Sequence, residues 1–258
     1  MGERVAVDGG WVTTVRRGRG DAVVLLPSAG RGAADFDNLA GRLSEAGFSS
    51  IAVNPRGADD ASPAPDGVTL HDLAADIAVV VERTGGPAHI VGHAFGNRVA
   101  RCVAADRPDL VRSVTLLAAG GLVPPKEEVT ALLARCFDID RADHLADVAA
   151  AFFAPGNDPS AWAGGWWPGA ASAQAAAVSR TPREDWWEAG GEVPILVVQG
   201  CDDVVAVPEN GHRLAAQLGD RVQVVDVAGA GHALLPERPA EVAAAVLAFL
   251  RAGGRHSE

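Results

Sequence analysis

Buried-type strands that alternate with helical patterns constrain this chain of 258 residues more than any other feature. The segment 22–27, AVVLLP, is a continuous apolar run, which is typical of a strand covered on both faces. Further strands are indicated at 50–54, 87–93 and 194–200, and apolar residues at helical spacing follow them. Strands that alternate with helices predict an α/β fold, with a mostly parallel sheet covered by helices on both faces.

The charge balance excludes two classes of partner. The chain has 33 Asp and Glu against 22 Lys and Arg, a formal net charge of −11. Nucleic acids and anionic membrane surfaces both select for clustered basic residues. No apolar run approaches the roughly 18 residues that span a bilayer. We therefore expect no nucleic-acid partner and no membrane association.

The cysteines and the first residues predict where the protein works. Cys102, Cys136 and Cys201 form an odd, sparse set without CxxC spacing, so neither a disulfide framework nor a structural zinc site is expected. The first ten residues show no basic-then-apolar signal. These features predict a cytoplasmic protein.

One segment, 121–191, interrupts the alternation because it contains no convincing strand. It holds five of the six tryptophans, among them Trp162, Trp166, Trp167 and Trp186. The aromatic side chains of such a segment can seat a helical insertion on the sheet domain, or line an apolar lid over a binding site. We predict a core domain of residues 1–120 and 192–258 and a helical lid of residues 121–191, with these four tryptophans and Ser28 in contact with substrate.

The sequence GHAFG at 92–96 lies between a predicted strand and a predicted helix. A small residue on each side of a central position is the sequence form of the nucleophile elbow, a turn so tight that its flanks need small side chains. Here the chain resembles the α/β-hydrolase superfamily. Residues 25–62 are similar to that family's oxyanion strand, first helix and next strand. Residues 193–208 are similar to its acid strand, and residues 229–250 to its histidine loop and closing helix.

The resemblance implies roles for several residues. His232 corresponds to the general base and acid, and Asp203 to the residue that orients it, with Asp202 as the alternative. The backbone N–H groups of Ala29 and Phe95 correspond to the oxyanion hole, which stabilises a developing negative oxygen.

The central residue of the elbow is Ala94, and a methyl group cannot attack a carbonyl. Two neighbouring positions also depart from the family pattern: Pro27-Ser28 stands where many members have His-Gly, and Asn97 stands where a second glycine is common. Because the surroundings diverge together with position 94, the sequence favours a site that works without a nucleophile.

A His–Asp dyad and two N–H donors can still take a proton from an acidic carbon or phenol and stabilise the anion. The resemblance implies that this chemistry needs no cofactor, since the superfamily includes lyases, enzymes acting on C–C bonds and dioxygenases. We predict an enzyme of this kind acting on a small apolar or aromatic molecule. Two alternatives stay open: a serine hydrolase of esters, lactones or C–C bonds disabled by alanine at position 94, and a non-catalytic binder of small molecules.

No cofactor and no metal are predicted. The seven histidines show no HExxH or similar ligand spacing, and the chain has no phosphate loop or dinucleotide fingerprint.

Overall fold

The structure is a computed structural model that describes residues 2–253. Within these residues eight strands form one sheet. The strands are β1 (Glu3–Val7), β2 (Gly10–Gly18), β3 (Ala22–Leu26), β4 (Ser49–Asn54), β5 (Ala88–His93), β6 (Val111–Leu117), β7 (Ile195–Gly200) and β8 (Val222–Val227). The strand order is β1-β2-β4-β3-β5-β6-β7-β8.

Helices cover both faces of this sheet. Those assigned in the described residues are α1 (Asp37–Glu45), α2 (Leu70–Glu82), α3 (Phe95–Asp106), α4 (Glu127–Cys136), α5 (His144–Phe152), α6 (Pro168–Arg180), α7 (Glu209–Leu218), α8 (Leu234–Glu237) and α9 (Pro239–Gly253). No helix in the span 2–253 combines the length and apolar composition needed to cross a bilayer.

The predicted parallel sheet is confirmed. Strands β3 to β8 pair in parallel, while β1 and β2 form an antiparallel edge that joins the sheet at β4. Every residue of β4, β5 and β7 is buried, as the apolar runs require of strands with helices on both faces. The carboxyl ends of β3, β5, β6 and β7 therefore meet at one edge, where ligands bind in open α/β sheets.

Two hydrophobic clusters account for the two faces. One contains Val24 and Ile90 with helices α2 and α3, and the other contains Leu25 and Val91 with helices α1 and α9. Neighbouring residues of one strand thus enter opposite clusters, because side chains alternate across a sheet.

The segment between β6 and β7 contains α4, α5 and α6 and no strand. It has a small cluster of its own, in which Cys136, Val148, Phe152 and Trp162 are buried together with Ala233 of the sheet domain. The aromatic residues of this segment thus pack on one another and on the loop that follows β8.

Glycine allows β5 and α3 to approach β3 closely. A Cβ atom on Gly96 would lie closer than 3.0 Å to the carbonyl oxygens of Leu26 and Pro27, and one on Gly92 would meet the backbone of Gly96. The Gly96 N–H donates to the Pro27 carbonyl at 3.1 Å. The small residues of GHAFG are therefore required by backbone-to-backbone packing.

We expect Gly96→Ala to lower the free energy of unfolding by about 2–3 kcal/mol, because its methyl group meets backbone that cannot turn away. Gly41→Ala is the matched control: Gly41 lies within α1, and a Cβ atom there has nothing within 4 Å. That change should be neutral or add up to about 1 kcal/mol, since alanine favours helices. Urea unfolding of both variants measures the difference, and equal effects would refute the packing argument.

Candidate active site

A buried, hydrogen-bonded histidine–aspartate pair lies at the carboxyl edge of the sheet. The His232 Nδ1 atom is 2.9 Å from Oδ2 of Asp203, and both side chains are almost inaccessible to solvent. The N–H groups of Val205 and Ala206 each donate to Oδ1 of Asp203 at 2.8 Å, which fixes the carboxylate. Asp202, the alternative in the sequence, is exposed. The geometry therefore pairs His232 with Asp203.

His232 presents its other nitrogen to a cavity. Nδ1 is occupied by Asp203, and in the described residues Nε2 has no hydrogen-bond partner. His232 lines the cavity together with Ala94 and Phe95. A neutral imidazole held in this way can accept a proton at Nε2.

Ala94 joins β5 to α3 in an unusual conformation, with φ 48° and ψ −104°. Positive φ is uncommon for residues with a Cβ atom, and such strain persists only where neighbouring structure enforces it. The Ala94 N–H donates to the Leu117 carbonyl at 2.9 Å, and Asn97 donates from Nδ2 to Leu117 and Ala118. Asn97 thus ties the start of α3 to β6, which gives this departure from the family pattern a structural role.

Two backbone N–H groups face the same space. Ala29 and Phe95 both line the cavity, and neither amide donates a hydrogen bond to any acceptor between residues 2 and 253. Ser28 lies beside them and is buried. Unpaired amides beside a histidine can donate hydrogen bonds to a bound oxygen and stabilise negative charge that develops on it.

The cavity has a volume of about 880 Å³ and is mostly apolar. In the described chain its polar side chains are those of Ser28, Arg98, Ser172, His232 and Trp166. The opposite wall comes from the segment between β6 and β7, which contributes Phe137, Phe152 and part of α6. A cavity of this size accommodates a small organic molecule.

Of the four tryptophans expected to contact substrate, Trp166 lines the cavity and the other three do not. Trp162 is 2% exposed because it packs against His93 and against Phe152 of α5. Trp167 packs against Gly32 and donates its backbone N–H to Gly30. Trp186 is buried against α3. Their aromatic rings pack behind the residues that line the cavity. The number of tryptophans in a segment does not show which of them line a cavity and which pack behind it.

The helical segment is bonded to both loops of the site. Gln174 of α6 accepts from the Gly30 N–H at 2.8 Å, next to the Ala29 amide. On the other side, the carboxylate of Glu237 accepts from the backbone N–H groups of Ala154 at 2.7 Å and Gly231 at 2.9 Å. These residues were not identified from the sequence, because their partners are distant along the chain.

His93, which precedes Ala94, supports His232 from below. Its Nε2 atom donates to the His232 carbonyl at 2.7 Å, and its ring centroid is 5.6 Å from that of His232. Complete burial lowers the pKa of His93 to about 3, so the ring is neutral. His93 therefore positions the histidine loop and is not a proton carrier.

One group of possible metal ligands lies elsewhere. Atoms of His71, Cys102 and Asp106 are within 4.8 Å of one another, and the His71 Nδ1 atom is 2.8 Å from Asp106 Oδ2. The spacing rules used for the sequence did not find this group, because its members come from α2 and α3. None of the three lines the cavity.

Comparison with known proteins agrees with this geometry. Residues 21–144 match the sequence model described as "alpha/beta hydrolase fold", and residues 165–258 match one described as "TAP-like protein". The chain is 30% identical to the 2-(acetamidomethylene)succinate hydrolase of Mesorhizobium japonicum over 95% of its own length and 94% of that protein. The chain therefore belongs to the α/β-hydrolase fold family, and it is an enzyme of that superfamily.

Two further similarities differ in how much of the chain they cover. The solved structure titled E-2-(acetamidomethylene)succinate hydrolase superposes with a TM-score of 0.79 at 26% identity, covering 97% of this chain and 99% of that one. The protein named carbamate hydrolase RutD in Variovorax paradoxus is 36% identical over 46% of this chain, which spans only 43% of that relative's length.

Acidification should destabilise the fold through two buried histidines. Burial lowers the pKa of His93 to about 3 and that of His89 to about 4, from 6.5. Below about pH 6.5 the unfolded chain binds protons that the folded chain does not. The free energy of unfolding should therefore fall by about 1.4 kcal/mol per pH unit for each histidine until its folded pKa is reached.

Urea unfolding at a series of pH values from about 6.5 to about 5 measures this slope. His93→Gln should reduce it by about 1.4 kcal/mol per pH unit, and His89→Gln by a similar amount. Slopes that equal the wild-type value in both variants would show that neither ring is held neutral.

Proposed function

We propose that this protein is a cofactor-independent acid–base enzyme that acts on a small apolar or aromatic molecule without a serine nucleophile. One observation carries the proposal: an intact His232–Asp203 pair faces a cavity in which residue 94 is alanine. A pure binder has no need of a buried, hydrogen-bonded dyad, so the dyad argues for catalysis.

The backbone at Ala94 supports its assignment to the nucleophile-elbow position. Its φ of 48° lies between a buried strand and a helix, where that turn holds the nucleophile in other members. In the described residues the hydroxyl groups that line the cavity belong to Ser28 and Ser172, and neither hydrogen-bonds to His232. No side chain thus replaces the missing nucleophile.

The proposed reaction begins with proton transfer. His232 Nε2 takes a proton from an acidic C–H or O–H of the bound molecule, and the Asp203 carboxylate stabilises the imidazolium that forms. The negative charge moves to a substrate oxygen that accepts from the Ala29 and Phe95 N–H groups. A positioned base of this kind contributes about 10²–10⁴-fold, and each oxyanion donor about 3–4 kcal/mol.

We also propose that residues 121–191 form a lid. The Gln174 side chain of α6 accepts from the Gly30 N–H, and the Glu237 carboxylate accepts from the N–H groups of both Ala154, just after α5, and Gly231. These bonds hold α5 and α6 over the cavity. An apolar lid excludes water from the cavity. Electrostatic interactions between the dyad, the two amides and a developing anion are stronger where water is excluded.

The names of the relatives favour a second candidate, hydrolysis of a small ester, lactone or C–C bond. Both relatives described above are named as hydrolases. Under this second candidate function the protein is a serine hydrolase disabled by alanine at position 94, and the other groups of the site are arranged to activate a serine hydroxyl there.

The Ala94→Ser variant separates the two candidates. Serine tolerates the strained turn about as well as alanine, so the variant should fold. If the site is shaped for acid–base chemistry, hydrolysis of 4-nitrophenyl acetate should rise less than about tenfold, or about 1.4 kcal/mol of barrier. A rise on the order of a thousandfold, about 4 kcal/mol, would establish the disabled hydrolase instead. Ala94→Ser combined with His232→Ala is the control for a hydroxyl that acts without the dyad.

Proton abstraction is measured directly by hydrogen–deuterium exchange. The α-protons of 2-tetralone, an apolar ketone with no bond to hydrolyse, are followed by NMR in heavy water. We expect the wild type to accelerate exchange by about 100-fold or more, and His232→Ala to return it to the buffer rate. Asp203→Asn should lose less, because it disturbs the orientation and charge of the imidazole without deleting it.

His212→Ala is the matched control, since His212 is an exposed histidine of α7 that pairs with Asp226. If wild type and His232→Ala exchange the ketone at the same rate, the acid–base proposal is wrong.

A further inference from the structure

Arg98 is a cation in the cavity wall that has no anionic partner in the protein. It lies in the first turn of α3, lines the cavity and is half-buried. Among residues 2–253 its guanidinium makes no ion pair and no hydrogen bond, and burial lowers its pKa. Its one aromatic contact is with Trp186, whose ring centroid is 5.4 Å away.

The next turn of the helix adds a second positive charge. Arg101 is fully buried and lies 4.6 Å from the Trp186 ring and 4.8 Å from the Trp187 ring. It donates to the Asn97 and Gly120 carbonyls, and its Nη1 atom has no partner. Burial lowers the pKa of Arg101 to about 9, and the positive charge of Arg98 acts in the same direction.

The N-terminus of α3 adds a partial positive charge to those of Arg98 and Arg101. The N-terminus of a helix carries about half a positive charge, which acidic residues usually offset, and α3 has no acidic residue in its first turn. Phe95, whose amide faces the cavity, begins this turn. The wall formed by α3 therefore concentrates positive potential from the helix end and from both arginines.

Among the residues that the structure describes, two other buried arginines, Arg31 and Arg56, are compensated, although Arg101 is not. Arg31 pairs with Asp35 at 2.6 Å, and Arg56 pairs with Asp76 at 2.6 Å, with each side chain at most 8% exposed. A guanidinium withdrawn from water without such a partner is costly. The absence of a carboxylate partner for Arg98 thus leaves a position for an anion to fill.

The cavity cannot supply that anion. No Asp or Glu of the described chain lines it, and apart from Ser28, Arg98, Ser172, His232 and Trp166 the lining side chains are apolar. A guanidinium fork matches a carboxylate through two parallel hydrogen bonds. A dianionic phosphate needs more donors than one arginine and these few groups provide.

We infer that Arg98 is a specificity-determining residue that binds a carboxylate of the substrate, so that the substrate is an organic acid with an apolar or aromatic body. This inference rests on the proposed function only in placing the substrate in this cavity. Arg98 lies one helical turn beyond Phe95, which separates the two positions by about 5–6 Å. The carboxylate therefore binds at the α3 wall, and another part of the same molecule faces the Phe95 amide and His232. Trp186 stacks on Arg98 and holds the guanidinium in place.

Isothermal titration calorimetry with matched ligand pairs tests this inference. The pairs are phenylacetate and phenylacetamide, 2-naphthoate and 2-naphthamide, and 4-biphenylcarboxylate and 4-biphenylcarboxamide. Each pair shares its apolar body and differs in charge. The variants are Arg98→Gln, which removes the charge, and Arg98→Lys, which keeps it without the fork. Arg213→Gln is the control, because Arg213 is exposed on α7 and pairs with Glu209.

We expect the wild type and Arg213→Gln to bind at least one carboxylate about tenfold or more tightly than its amide. Arg98→Gln should weaken carboxylate binding about 10- to 100-fold and leave amide binding within about threefold, with Arg98→Lys between them. Because Arg98 is uncompensated in the free protein, Arg98→Gln should not lower the Tm, and a thermal scan verifies that it is folded.

Two outcomes would overturn the inference. One is that no carboxylate binds more tightly than its amide in the wild type, whether both bind equally or neither binds. The other is that Arg98→Gln keeps the preference. The exchange of neutral 2-tetralone needs no carboxylate, so it separates the two proposals. If Arg98→Gln loses the preference for carboxylates and the wild type exchanges 2-tetralone, both proposals are supported. If the wild type prefers carboxylates but does not exchange 2-tetralone, only the acid–base reaction is contradicted.

Discussion

The close approach of α3 to β3 is the constraint on which the site depends. Only hydrogen atoms fit at Gly92 and Gly96, because the carbonyl groups of Leu26 and Pro27 lie against Gly96 and the backbone of Gly96 lies against Gly92. Beside this contact Ala94 has a φ of 48° and α3 starts at once with Phe95, which lines the cavity and whose amide has no acceptor in the described residues. The same contact places the end of β3, and with it Ala29, beside that amide. Backbone packing therefore fixes the positions of the two residues whose amides the proposed reaction uses as an oxyanion hole.

The second constraint is the set of bonds that join distant loops at the carboxyl edge of the sheet. Asp203 orients His232, His93 supports the His232 carbonyl, and Glu237 joins the histidine loop to the end of α5. Because each of these groups is buried, a broken bond leaves an unsatisfied polar atom, which is costly. Buried hydrogen bonds consequently join the histidine loop to the helices between β6 and β7. The proposed reaction needs such fixed positions, because preorganised dipoles stabilise a developing charge.

Charge is distributed unevenly around the cavity although the whole chain is acidic. The net charge is −11, yet the described lining contains Arg98 and His232 and no carboxylate. Three buried carboxylates have partners: Asp35 pairs with Arg31, Asp203 with His232, and Glu237 accepts from the backbone N–H groups of Ala154 and Gly231. This local charge supports both proposals, stabilisation of a developing oxyanion and binding of an ionised substituent.

The sequence by itself determined the elements that local patterns define. The apolar runs of β3, β5 and β7 predicted a parallel sheet, and the small residues of GHAFG predicted a tight strand-to-helix turn, because both depend on burial and sterics within a few residues. Tertiary structure decided the rest. Trp166 lines the cavity whereas Trp162, Trp167 and Trp186 pack behind it. Within residues 2–253, Arg98 has no carboxylate partner whereas Arg31 and Arg56 each have one. Orientation and pairing depend on which distant segments are brought together, and that information exists only once the chain has folded.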